Sequence, residues 1–291
     1  MISPFKSLCE RLMLLTLVSL SACSIRQTGS DMVFDSVLVK ADDSLTTIVD
    51  SEQLPEGLLF KDNETFFKAL VEKKFVAGEL IDITFITENL VSVEEGESAQ
   101  LSVALIQSGE GEYVGGREGI QYATVHCMLV VFKKVGEEQV FRDFVSLGDV
   151  ESQGLVSGSI EGEEIKITDD NAAVLIHFKS SEEGAGDYGF RKDDASLYVF
   201  VKSKLTSVLE MTLEDYQFSS DEHGDYSERS SVTEIKVLDS KSNGLYDISL
   251  HTTVNVSVTK DEESYDGNDA IEEAPVDPIT YRWDGVKYQS N

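Results

Sequence analysis

"EIKVLDSKSNGLYDISLHTTVNVSV" spans residues 234–258, and its apolar residues alternate with polar ones on both sides of Asn243-Gly244. A period of two places successive side chains on opposite faces of an extended chain, so each half reads as a half-buried strand. Asn-Gly accepts the positive φ angles of a two-residue hairpin turn. Two antiparallel strands joined at 243–244 follow from that.

The same period recurs outward from this hairpin. Candidate strands are "MVFDSVLVK" (32–40), "ELIDITFITENLV" (79–91), "AQLSVALIQ" (99–107), "QYATVHCMLVVFKK" (121–134) and "EQVFRDFVSL" (138–147). "EEIKIT" (163–168), "AAVLIHFKS" (172–180), "ASLYVFVKS" (195–203), "KLTSVLEMTLEDYQF" (204–218) and "ITYRWDGVKYQ" (279–289) complete the set. Val, Ile, Thr, Tyr and Phe dominate these runs, as pleated half-buried surfaces require. Strands without intervening helices predict a mainly β fold of antiparallel meanders, arranged as a sandwich or a partial propeller-like array. No clean internal repeat is visible, which favours the sandwich. One segment departs from the pattern: "DNETFFKALVEKKFV" (62–76) has Phe66, Phe67, Leu70, Val71 and Phe75 at helical spacing. It predicts one short helix near 63–75, with Asn63 as N-cap. Acidic stretches at 108–119, 180–194, 219–230 and 260–278 read as loops.

Residues 1–22 have the pattern of a signal peptide: Lys6 and Arg11, the apolar run "LMLLTLVSL" (12–20), then small residues. That run is about half the ~20 residues a spanning helix needs. "LSAC" (20–23) resembles the lipobox of bacterial lipoproteins. The resemblance implies cleavage before Cys23, three acyl chains on Cys23, and a periplasmic or surface location. Ser24 after the cysteine implies the outer membrane of a Gram-negative cell. The expected organisation is a leader (1–22), the lipidated Cys23 with a polar tether (23–31), and an acidic β-rich domain (32–291). Sub-units at 32–150, 158–218 and 230–291 follow from the grouping of strands.

Loss of the leader removes Lys6, Arg11 and Glu10 and moves the formal net charge from −30 to −31. Such a surface repels nucleic acid and anionic headgroups, so nucleic-acid binding is excluded. It suits divalent cations or a basic protein partner. Cys127 is the one cysteine besides Cys23 in the mature chain, so no internal disulfide is expected, and its apolar surroundings predict a buried thiol.

No G-x-S-x-G, H-E-x-x-H, Walker-type loop or cysteine metal knuckle occurs. His126, His177 and His251 fall in predicted strands and read as structural; His223 sits among Asp221, Glu222 and Asp225 in a solvated loop. "DSKSNGLYDIS" (239–249) offers Asp239, Asn243 and Asp247 side chains, the Leu245 carbonyl and a turn at Gly244 to a calcium ion. This stretch resembles the short D-x-D-x-D-G-x-x-D loops of dockerin-type and FG-GAP or VCBS β-repeats, except that Lys241 stands where an acidic ligand belongs. A metal-free hairpin, with Lys241 neutralising a neighbouring carboxylate, is the preferred reading. With "YRWDGVKYQ" (281–289), the region resembles the C-terminal β-modules of exported bacterial proteins. That implies a β-structured end and no activity, with Trp283 as a core aromatic in preference to a sugar-stacking one.

The expectation is an acidic outer-membrane lipoprotein whose β domain binds or supports and does not catalyse. Calcium stabilisation, and inhibition or docking of a basic envelope protein, stand as the alternatives.

Overall fold

The computed structural model describes residues 58–93, 100–113, 120–151, 156–183, 188–220, 226–259 and 272–290. The leader, Cys23, the tether, the candidate strand at 32–40 and His223 lie outside the described residues.

The first sheet contains β1 (Leu59–Phe60), β2 (Glu79–Thr87), β3 (Leu101–Tyr113), β4 (Ile120–Val135) and β5 (Glu138–Glu151), in the order β1-β5-β4-β3-β2. The second contains β6 (Val156–Lys166), β7 (Ala172–Glu183), β8 (Tyr188–Val201), β9 (Lys204–Ser220), β10 (Tyr226–Ser242), β11 (Leu245–Thr259), β13 (Ile279–Trp283) and β14 (Tyr288–Ser290) in sequential meander order, with β12 (Glu272–Pro275) alongside β11. Every ladder between these strands is antiparallel. The fold is mainly β, as the period of two predicts.

The helix α1 covers Asn63–Glu72. Its N-cap is Asp62, one residue before the expected Asn63. Asp62 Oδ1 accepts from the Thr65 N–H at 2.7 Å and its Oδ2 from the Thr65 hydroxyl at 3.0 Å. Those bonds hold the Asp62 carboxyl below its usual range. Either residue type caps well; Asp62 does so because it is the last one in extended conformation before the helical turn. Phe66, Phe67 and Leu70 bury the apolar stripe against Ala104, Ile106, Met128, Val130, Phe132 and Phe141 on one face of the first sheet. The helix stops at Glu72, where Lys73 caps it and Lys74 takes φ +61°; Phe75 packs on the same cluster from beyond the helix end.

The other face of the first sheet presents Val103, Leu105, Leu129 and Val131 to Val174, Ile176, Tyr198 and Phe200 of β7 and β8. Alternate residues of those same strands, Ala173, Leu175, Leu197 and Val199, enter a third cluster with Ile248, Leu250 and Trp283. Strands β7 and β11 are not neighbours in the sheet, so they share a core because the second sheet curls back on itself. The layers therefore run helix, first sheet, second sheet, and β7 and β8 are buried on both faces.

The two sheets are also stitched through the backbone. Residues 89–93 enter between the ends of β7 and β8, with Val91 N–H donating to the Ala172 carbonyl (2.8 Å) and Val93 N–H to the Phe200 carbonyl (2.9 Å).

Three stretches expected as loops are strand over their described residues. β3 runs on through Tyr113, β7 reaches Glu183, β8 begins at Tyr188, β9 reaches Ser220 and β10 begins at Tyr226. These strand ends extend past the apolar cores and are held by polar pairs instead. Ser157 and Ser181 hydroxyls meet at 2.8 Å, and Ser219 and Ser227 at 2.9 Å. Aromatic rings of Tyr216, Phe218 and Tyr226 pack beside them. Such cross-strand pairs stabilise a ladder without leaving a hydrophobic period.

Candidate functional site

The hairpin at 243–244 forms as its residues require. Asn243 has φ +47° and Gly244 φ +90°, and Ser242 faces Leu245 across the turn. A bulge follows, because Val237 pairs with Ile248 and Lys241 with Tyr246, leaving 238–240 opposite Asp247. The residues of the expected calcium loop therefore lie on a paired hairpin and not on a coiled ion loop. Asp239 is exposed in the bulge, and the Leu245 side chain is in the core. The Asn243 amide donates to the Trp283 carbonyl at 2.8 Å. Asp247 is 3% exposed; its Oδ2 accepts from the Ser240 hydroxyl at 2.6 Å and lies 4.0 Å from Arg282 Nε. Its Oδ1 is buried without a hydrogen-bond partner among the described residues.

Lys241 does not neutralise Asp239 or Asp247. Its ammonium lies 2.7 Å from Asp169 Oδ2 and over the Tyr246 ring, and the Tyr246 hydroxyl donates to the same carboxylate. Asp169 belongs to the turn between β6 and β7, so this contact docks the hairpin tip on that turn. The Tyr246 N–H donates to the Ile167 carbonyl at 2.8 Å and fastens the same junction. Both partners' shifts agree with a working ion pair: Asp169 is held low and Lys241 high, each chiefly by their mutual hydrogen bond.

Trp283 is 1% exposed and packs edge-on to Tyr288 at 5.4 Å, so its ring fills core space and offers no platform to a sugar. The Tyr288 hydroxyl donates to the Tyr246 carbonyl at 2.8 Å; burial, then the nearby Asp247 charge, pushes its pKa up.

The three described histidines have separate local partners. His126 Nδ1 lies 2.5 Å from Asp149, His177 lies between Asp193 (3.0 Å) and Glu163 (3.4 Å), and His251 Nε2 meets the Ser249 hydroxyl at 3.1 Å. Among the described residues, no three His, Cys, Asp or Glu side chains gather into a group able to hold a metal ion. Cys127 is buried, and burial, followed by the Asp149 charge, pushes its thiol up to about 12. A thiol so shifted has little thiolate at neutral pH and is a packing residue.

A concave feature that sequence reasoning missed is a groove of about 430 Å³ lined by strands of the second sheet. Ile165 of β6, Leu213 of β9 and Ile235 of β10 form an apolar floor, all half-buried against the third core. Glu163 and Glu164 line the β6 side, both exposed, and Thr233 and Val237 the β10 side. β6 ends the strand order of its sheet. β10 leaves β9 after the Val232–Glu214 pair but stays paired with β11 through Val237. The groove thus lies between two strand edges without ladder partners among the described residues.

Comparison with protein-family models, with curated proteins and with solved structures finds no match in any of the three.

Proposed function

We propose that this chain is a lipid-anchored protein of a Gram-negative outer membrane whose acidic β domain binds a basic protein partner without transforming it. The anchor rests on the "LSAC" quartet and Cys23; the partner's charge rests on the formal net charge of −31 expected after cleavage. The observation that carries the binding reading is the open groove with an apolar floor and a glutamate rim. Apolar floors contribute affinity, whereas complementary charge steers encounter and selects the partner. Nucleic acid, carrying the same sign as the domain, is excluded as a partner.

Capture from an envelope extract by the immobilised full chain tests this. At low ionic strength a basic protein is expected in the bound fraction, and raising salt should weaken its capture because the Debye length falls from about 10 Å at 0.1 M to about 3 Å at 1 M. Recovery of no basic protein at either salt concentration would sink the reading.

Two observations bear on a second reading, a calcium-stabilised module. Lys241 is drawn off to Asp169, and Asp247 keeps one buried oxygen without a hydrogen bond among the described residues. Asp239, Asn243, Asp247 and the Leu245 carbonyl would be the ligands. The turn already closes on Asn243-Gly244, so we expect the melting temperature to be the same in excess chelator and in millimolar calcium. A rise with calcium would install the second reading, since an ion bound to the native state alone stabilises it by mass action.

A further inference from the structure

The groove differs from an ordinary acidic patch because of the backbone on its two sides. An unpaired strand edge presents alternating N–H and C=O groups, a template for another strand. Among the described residues β6 is one such edge, eleven residues long and free of proline. Past Val232, β10 is the other. Its residues Thr233, Ile235 and Val237 sit across the groove from Glu163, Glu164 and Ile165.

The β6 edge is also held in place before any partner arrives. A Cβ on Gly162 would come within 2.3 Å of Ile86, so β6 lies closely over β2, and the hairpin tip is fastened to Ile167 at its end. An edge fixed in its paired conformation loses little entropy when a strand adds to it.

We propose that the facing edges of β6 and β10 form a slot that accepts one extended segment of a basic partner by β-strand addition. This rests on the reading of the domain as a binder of basic protein, and it specifies the mode. Main-chain hydrogen bonds to β6 supply affinity and alternate side-chain positions supply selectivity. Glu163 and Glu164 are consecutive, so they project on opposite faces of β6, and an added strand meets a carboxylate whichever face its cationic residue occupies. An apolar residue of the added strand lies over Ile165, toward Leu213 and Ile235. The same glutamates reject an acidic strand, including one from a second copy of this chain, whose formal net charge after cleavage is −31.

The test uses the full chain in detergent micelles and a synthetic peptide of alternating lysine and valine, acetylated and amidated at its ends. Two control peptides accompany it: one with glutamate for lysine, and one with the original sequence methylated on alternate backbone nitrogens. The lysine–valine peptide is expected to slow amide exchange at 161–166 and 233–237. The methylated peptide, equal in charge, should bind at least about tenfold more weakly, because it cannot complete the ladder. The double change Glu163→Lys, Glu164→Lys lies on an exposed edge and gives up the 3.4 Å contact of Glu163 with His177, whose nearer partner Asp193 remains, so it should keep a cooperative thermal transition, weaken the lysine peptide about tenfold and admit the glutamate peptide.

Equal binding of the methylated and unmethylated peptides, with no exchange protection, would overturn strand addition while leaving capture of a basic partner intact. Protection of the same amides by self-association, seen as a concentration-dependent rise in sedimentation, would overturn the basic occupant. An empty envelope capture together with no peptide binding would remove both readings.

Discussion

Leu175→Asp is expected to leave the domain unfolded in buffer at room temperature, and Val174→Asp is expected to do the same. Both side chains are 0% exposed although they are neighbours in the chain. Val174 packs against Val103, Leu105 and Leu129 of the first sheet, whereas Leu175 packs with Leu197, Ile248 and Trp283 inside the curled second sheet. Neither cluster contains a cationic side chain to pair with a carboxylate. Leaving a buried charge unpaired costs about 3–5 kcal/mol. Losing the apolar packing adds about 2–5 kcal/mol. The sum is comparable with the whole stability of an ordinary domain, about 5–15 kcal/mol. Far-ultraviolet circular dichroism and urea titration measure the outcome, with Val232→Asp as the control at an exposed site. A cooperative urea transition retained by either core variant would mean that one face of β7 is not buried as described.

Trp283→Ala should cost about 3–5 kcal/mol in the same urea titration, the usual range for truncating a buried aromatic. The loss has a specific location. The Trp283 ring fills the space beside Tyr288, and its packing holds in place the main-chain carbonyl that receives the Asn243 amide at the turn of the β10–β11 hairpin. Amides at 240–246 should exchange faster in the variant before the rest of the second sheet does. Trp283→Phe should cost less, because it keeps most of the ring and removes an indole N–H that is buried without a hydrogen-bond partner among the described residues. If Trp283→Ala unfolded at the parental urea concentration, the terminal strands would be an appendage and not a wall of the third core.

Much of this architecture is legible residue by residue. Alternation in 121–134 and 244–259 marks β4 and β11, and Asn243-Gly244 marks the turn between β10 and β11. "AAVLI" at 172–176 reads as a strand, and its unbroken apolar character agrees with burial on both faces. What covers those faces is not written locally. Leu175 meets Ile248 only because the sheet curls, and a curl summed over many strands leaves no mark in any one of them. The acidic strand ends escape for a different reason: Ser157–Ser181 and Ser219–Ser227 pairs stabilise a ladder with residues that also fill loops. Lys241 is the sharpest case at the candidate site. Its neighbours in sequence suggest Asp239 or Asp247 as partner, but its carboxylate is Asp169, which only the docking of the hairpin on the β6–β7 turn brings near. The groove is hidden in the same way, since Glu163, Glu164, Leu213 and Ile235 come from three separate strands. An alternating run looks the same at a sheet edge as in its middle.

In the proposed reading, lipid on Cys23 holds the domain at the membrane, where the proposed slot meets an envelope partner. Two or more acyl chains give stable anchoring, whereas one is marginal. The intact mass of the full chain, expressed in a Gram-negative host and recovered by detergent-phase partition, measures this directly. The predicted result is a detergent-phase protein with the mass of residues 23–291 plus three acyl chains, and an aqueous-phase protein without acyl chains when Cys23 is replaced by serine. Wild-type protein in the aqueous phase, with the mass of an unacylated chain, would contradict it.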